Sequence, residues 1–151
     1  MQKKLLHEWE IREQGLPYQS PYEALIMASI IEKETGKSSE RPLIAGVFLN
    51  RLRIGMRLQT DPTVIYGIGQ SFDGNIRKAD LLKDTAYNTY TRDGLPPTPI
   101  AMPGVASIHA ALHPSNTDAL YFVGKGDGSH YFSRNLSEHN HAVTQYQLGH
   151  K

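Results

Sequence analysis

The residue pattern predicts an α+β chain, mainly helical, with one small antiparallel β-hairpin. Apolar residues recur at helical spacing in several stretches bounded by capping residues, prolines and glycines. Towards the end, two short aromatic runs flank one glycine-rich turn. Length sets the scale: 151 residues suffice for one compact domain, and two would be crowded. Residues 1–16 are expected to form an N-terminal helix or a linker remnant, and residues 17–151 the domain proper.

Leu5, Leu6, Trp9 and Ile11 suggest a first short helix, stopped by Gly15, Leu16 and Pro17. The next helix has the clearest start. Ser20 suits the N-cap, Pro21 the first helical position, and Glu23 completes a Ser-x-x-Glu capping box. From Ala24 to Ile31 every residue but Ser29 is apolar, so this helix is expected to be buried on most sides. It runs on through Glu32-Lys33-Glu34-Thr35, with Gly36 as its expected C-cap. Leu43, Ile44, Val47, Phe48 and Leu52 form the stripe of a following helix that Gly55 closes. Thr60-Asp61-Pro62 opens a short third helix through Tyr66.

Gly67 to about Ile100 reads as a long loop, of the kind that is usually functional or disordered. Ser107 is the expected cap of a short helix through Leu112, stopped by Pro114. Leu120–Val123 and His130–Ser133 are the two strands of the hairpin, and Leu136 to about Gln147 a last helical stretch.

Composition removes several classes of function. With 39% hydrophobic and 21% charged residues, the chain suits a globular domain with a core. Sixteen basic and 15 acidic residues leave a net charge of +1, too little to draw the chain onto nucleic acid or an anionic membrane. Zero cysteines exclude disulfides and thiolate metal sites. No stretch approaches the ~18 apolar residues of a membrane helix, and the N-terminus lacks the apolar core of a signal peptide.

Several clusters have an ordinary explanation. Gly124-Lys125-Gly126-Asp127-Gly128 lacks the Gly-Lys-Ser/Thr ending and the helix of a phosphate loop, so it is a hairpin turn. His109 and His113 have metal-ligand spacing on one helix, but no Glu follows His109. His139 and His141 are expected to be solvated. Arg51, Arg53 and Arg57 are read as solvated or ion-paired, since cations near a helix end are favoured by its dipole.

Glu32 is the acid of interest. Ala28 and Ser29 lie at i−4 and i−3, leaving room beside its carboxyl. A carboxyl sunk at the end of an apolar helix resists ionisation, as a general acid must. The competing reading is a surface Glu that simply ends the helix. Glu34 lies about 200° around the same helix. Gln59, Thr60 and Asp61, with Tyr87-Asn88-Thr89-Tyr90, supply the tyrosines and amides suited to sugar recognition. The same tyrosines would serve equally to anchor a loop to the core.

Ordered motifs point further. Ala28-Ser29-Ile30-Ile31-Glu32-Lys33-Glu34-Thr35 resembles the signature of the YceG-like family of endolytic murein transglycosylases. Val47-Phe48-Leu49-Asn50-Arg51-Leu52 and Gly55 to Gly67 resemble its next segments, the latter very closely. Tyr87-Asn88-Thr89-Tyr90, Gly94-Leu95-Pro96-Pro97, Pro99-Ile100, Leu120-Tyr121-Phe122-Val123 and the segment from Leu136 to Asn140 follow in order. The resemblance spans about residues 17 to 147.

It implies an α-rich catalytic domain distantly like lysozyme. The implied reaction cuts peptidoglycan glycan strands internally, between N-acetylmuramic acid and N-acetylglucosamine, and leaves 1,6-anhydro ends. The catalytic residue it implies is the first Glu of the motif, Glu32, acting as acid and then base, with no metal or cofactor. Gln59, Thr60, Asp61, Tyr87, Asn88, Thr89 and Tyr90, with Ser29 and Glu34, are the expected substrate groove. The implied partner is the glycan strand, with peptidoglycan synthases met through a longer protein. The implied location is the periplasmic face of the bacterial inner membrane, and the membrane helix and LysM-like domain usual in the family are not in this sequence. The competing classes are a non-catalytic glycan-binding module and a metal-dependent hydrolase built on His109 and His113.

Overall fold

The computed structural model describes residues 2–148; Met1 and residues 149–151, the outermost positions of the two expected segments, lie outside the described residues. Helix α1 spans Gln2–Glu10, α2 Pro21–Glu34, α3 Arg41–Arg53, α4 Asp61–Ile68, α5 Lys78–Leu82, α6 Val105–Leu112 and α7 Leu136–Val143. Strands β1 (Tyr121–Gly124) and β2 (His130–Ser133) pair antiparallel, with Tyr121 opposite Ser133 and Gly124 opposite His130. The α+β expectation stands. No helix among the described residues is long and apolar enough to cross a membrane.

Helix α2 is the central post. Ser20 Oγ accepts from the Glu23 amide, and the Glu23 carboxyl accepts from the Gln19 amide at 2.9 Å, one residue before the N-cap. Ala24 and every residue from Ile26 to Ile31 are buried, because α1, α3, α4 and α6 all pack on it. Ile30, Ile31, Phe48, Leu49, Ile108 and Leu112 join the elements into one core. Helix α1 docks on α6 through Leu5 and Glu8 rather than trailing away, while Leu6 and Ile11 stay exposed.

Three expected details change. Helix α2 stops at Thr35, which turns to extended backbone (φ −148°), so Gly36 is not its C-cap. Gly104, not Ser107, is the N-cap of α6, and Ser107 lies buried inside the helix. The long loop holds α5 and a 3₁₀ turn at Gly69–Ser71. At its other end, α7 continues into a π-helical turn, Thr144–Leu148.

The hairpin is tied to the helical body through Glu40 and Phe48. His130 donates its backbone N–H to Glu40 at 3.0 Å, and its Nδ1 lies 2.9 Å from the other Glu40 oxygen. Phe122 meets Phe48 edge-on at 5.7 Å, the preferred arrangement of two rings. These contacts stand the hairpin beside the C-terminal end of α2.

Candidate active site

An open cleft of about 450 Å³ lies where α2 ends. Glu34, the last residue of α2, faces Arg51 of α3, with Gln59 and Asp61 at the start of α4. Tyr90 comes from the long loop, Tyr121 and Phe122 from β1, and Leu136, His139 and Asn140 from α7. Distant segments therefore converge on one carboxyl.

Burial of the Glu34 carboxyl raises its pKa above the ordinary 4.5. The bond from Thr60 Oγ1 to Oε2, at 2.7 Å, pulls the other way, and nearby Asp61 reinforces the rise. His130 and Arg51 oppose it more weakly, and the net direction is up. The carbonyl-rich end of α2 adds to the bias, since a helix C-terminus disfavours negative charge. Thr60, the N-cap of α4, does not bond its own helix with its side chain; its hydroxyl goes to Glu34 instead.

The surrounding groups are already committed. Tyr90 donates its hydroxyl to Asp61 Oδ1 at 2.5 Å. Burial and then that bond push the phenol pKa up, so Tyr90 stays protonated. Arg51 is buried rather than solvated: Nε donates to Leu120 O at 2.7 Å and Nη1 to Leu58 O. It braces the α4 entry and β1 and leaves its guanidinium 5.4 Å from the Tyr121 ring centre. Gln59 has φ +51°, a left-handed backbone uncommon for a residue with a Cβ. Its amide donates to Thr89 O at 3.2 Å, while its side chain is exposed at the cleft.

The expected rise of the Glu32 pKa is corrected: the shift is downward. Glu32 Oε1 accepts from the Gly104 amide at 2.8 Å and from Ser107 Oγ at 2.9 Å, at the N-terminus of α6. The Gly104 bond lowers its pKa; slight burial opposes, and Ser107, Arg41 and Lys33 lower it further. The carboxyl is thus held charged, contrary to the half-sunk acid expected, and it does not line the cleft.

The groove residues divide. Glu34, Gln59, Asp61 and Tyr90 meet in the cleft. Ser29 is fully buried, donating to Ile26 O at 2.6 Å and accepting from the Ile100 amide at 3.0 Å. Asn88 is buried and donates to Leu81 O and Lys83 O, and Thr89 Oγ1 accepts from the Thr60 amide. The Tyr87 hydroxyl pairs with Thr98. Ser29, Thr60, Tyr87, Asn88 and Thr89 therefore shape the site from behind.

Arg51, Tyr121, His139 and Asn140 were missed. The family resemblance of Val47–Leu52, Leu120–Val123 and Leu136–Asn140 is the signal in the sequence that these segments matter. His109 Nδ1 lies 2.6 Å from the buried Glu8 carboxyl, and the His109 and His113 rings stack at 4.2 Å. That arrangement clasps α1 to α6, and among the described residues no three His, Asp or Glu side chains gather as a metal set.

Residues 1–145 match the model of the YceG-like family. An endolytic murein transglycosylase of Bacillus subtilis (strain 168) is 49% identical over 127 residues, covering 84% of this chain and 35% of that protein. One from Streptococcus pneumoniae serotype 2 (strain D39 / NCTC 7466) is 36% identical over 130 residues, or 82% of this chain and 23% of that protein. A crystal structure of a YceG-like protein from Listeria monocytogenes aligns with a TM-score of 0.78 at 42% identity, over 93% of this chain and 43% of that one. The chain spans about a third or less of the curated relatives it matches.

Proposed function

The chain belongs to the YceG-like family, and on that premise we propose that it is the glycan-cleaving part of an endolytic murein transglycosylase with Glu34 as its proton donor. One observation carries the reading: Glu34 lines the cleft at the end of α2, and burial of its carboxyl shifts it towards the protonated form.

The Thr60 bond fixes Glu34 Oε2 and leaves Oε1 to hold the transferable proton. A glycan strand laid in the open cleft presents the bond between N-acetylmuramic acid and N-acetylglucosamine. Protonated Glu34 gives its proton to the leaving glycosidic oxygen as the C1–O bond breaks. The muramic acetamido group supports the charge at C1. The C6 hydroxyl of the same sugar attacks C1, and Glu34, now a carboxylate, takes its proton. The new end is a 1,6-anhydro sugar, and Glu34 is reprotonated for the next cycle. Glycosidases usually work with two carboxylates. Here Asp61 is held by Tyr90, and the internal nucleophile removes the need for a second.

The location that goes with this reading is the periplasmic face of the inner membrane, with the enzymes that polymerise glycan as partners of the longer protein. The test is digestion of purified glycan strands with mass spectrometry of the ends. Ends lighter by one water than hydrolysed ends are expected; reducing ends alone would mean a hydrolase, and intact strands a binding module.

A further inference from the structure

His139 enters the cleft from α7, on a segment remote from the acid motif. Its ring lies nearly parallel to that of Tyr121, with centres 5.0 Å apart and planes 23° apart. The Arg51 guanidinium lies close to the same Tyr121 ring, 5.4 Å from its centre, so the stack is held against a fixed strut. Nδ1 of His139 is sealed from solvent and has no hydrogen-bond partner among the described residues. Nε2 is not sealed in this way, and the His139 residue lines the cleft.

The two nitrogens therefore differ in what they can carry. A buried N–H without an acceptor is rarer, and costs more, than an under-used lone pair. The ring proton belongs on Nε2, where the cleft can supply an acceptor. A second proton would put an unpaired N–H in the interior and a cation beside Arg51. Burial, and then Arg51, accordingly push the His139 pKa below its ordinary 6.5.

We propose that His139 contacts the glycan directly, as an uncharged Nε2–H donor to a neutral oxygen such as an acetamido carbonyl, and moves no proton in the reaction. The inference rests on the glycan-cleaving reading of the cleft. It gives the wall formed by α7 a role in holding the sugar, distinct from the role of Glu34. The Tyr121 stack fixes the plane of the ring, so the donor direction is set before substrate arrives.

The first test uses the unaltered protein. Nitrogen-15 chemical shifts at pH 7 are expected to give a neutral His139 protonated on Nε2; an imidazolium, or a proton on Nδ1, overturns the proposal. The second compares His139→Phe, which keeps the stack without the donor, with His139→Gln, which keeps a donor. On isolated glycan strands His139→Phe is expected to raise KM about tenfold with kcat within about threefold, and His139→Gln to recover part of the loss. An unchanged KM makes His139 a mere ring support, and a collapsed kcat makes it a proton carrier; either rejects the inference. If His139→Phe fails to fold, the tautomer and the His139→Gln kinetics decide. An unaltered protein that cuts glycan while His139→Phe keeps its KM sinks this inference alone. An unaltered protein inert towards glycan removes the functional reading and this inference together.

Discussion

Glu32 and Glu34, two residues apart on α2, have carboxyl pKa values shifted in opposite directions. Glu32 caps α6 and is kept charged, whereas Glu34 is sunk in the cleft and biased towards its neutral form. The division of labour follows from helix geometry, because positions i and i+2 point about 200° apart.

Activity is expected to fall as pH rises through the raised Glu34 pKa, because the acid form is lost. The sign for stability is the same. A carboxyl whose folded pKa lies above its unfolded value binds more protons in the folded state, so folding weakens as pH rises through that interval. Glu32 acts oppositely: its contribution is present above the unfolded value and is lost as pH falls through its lowered folded value. Carbon-detected NMR titration of both carboxyls checks the pair, and a Glu34 pKa at or below 4.5 contradicts the account.

Thr60→Val keeps the shape of the side chain and removes the hydroxyl that bonds Glu34. That bond favours the charged form, so its loss should move the Glu34 pKa, and the alkaline limb of the rate profile, upwards. The carboxyl also loses its fixed orientation, and kcat is expected to fall about tenfold. A pH–rate series on the variant reads both effects.

Much of this fold was legible because its signals are local. Ser20, Pro21 and Glu23 announce the start of α2, and the aromatic runs around Gly126 announce the hairpin. Helix α5 was not legible, since five residues carry no periodic stripe. The choice between Glu32 and Glu34 was not legible either. Spacing shows that they diverge, but which one meets a cleft depends on α6 packing against one side of α2. The tie from Glu32 to Gly104 and Ser107 spans more than 70 positions. Arg51 was misread for the same reason: a cation near a helix end looks solvated until Leu58 and Leu120 close over it.

Gly46 shows how closely α3 is approached. A Cβ there would lie 2.8 Å from both Ser115 O and Thr117 Cγ2. Gly46→Ala is therefore expected to destabilise by about 1–3 kcal/mol, the usual cost of overpacking, despite the better helix propensity of alanine. Urea denaturation measures it, and an equal or higher midpoint would show that the segment after α6 yields freely.

Glu32→Ala removes the acceptor that holds Gly104 and Ser107. Loss of a side-chain cap of this kind typically costs about 1 kcal/mol. Thermal unfolding should show that loss at neutral pH and a smaller one in acid, where the native carboxyl is itself protonated. Equal losses at both would mean that the charge contributes nothing to the cap.

The most direct measurement is turnover of purified glycan strands by Glu34→Gln and Glu32→Gln, with circular dichroism confirming that both are folded. Glutamine preserves shape but cannot exchange a proton, and losing general acid–base catalysis costs roughly 10²–10⁴ in rate. With one residue in both roles, Glu34→Gln is expected at the upper end of that range or beyond, while Glu32→Gln keeps most of its activity. A folded, active Glu34→Gln beside a folded, dead Glu32→Gln would contradict the account and return the chemistry to Glu32.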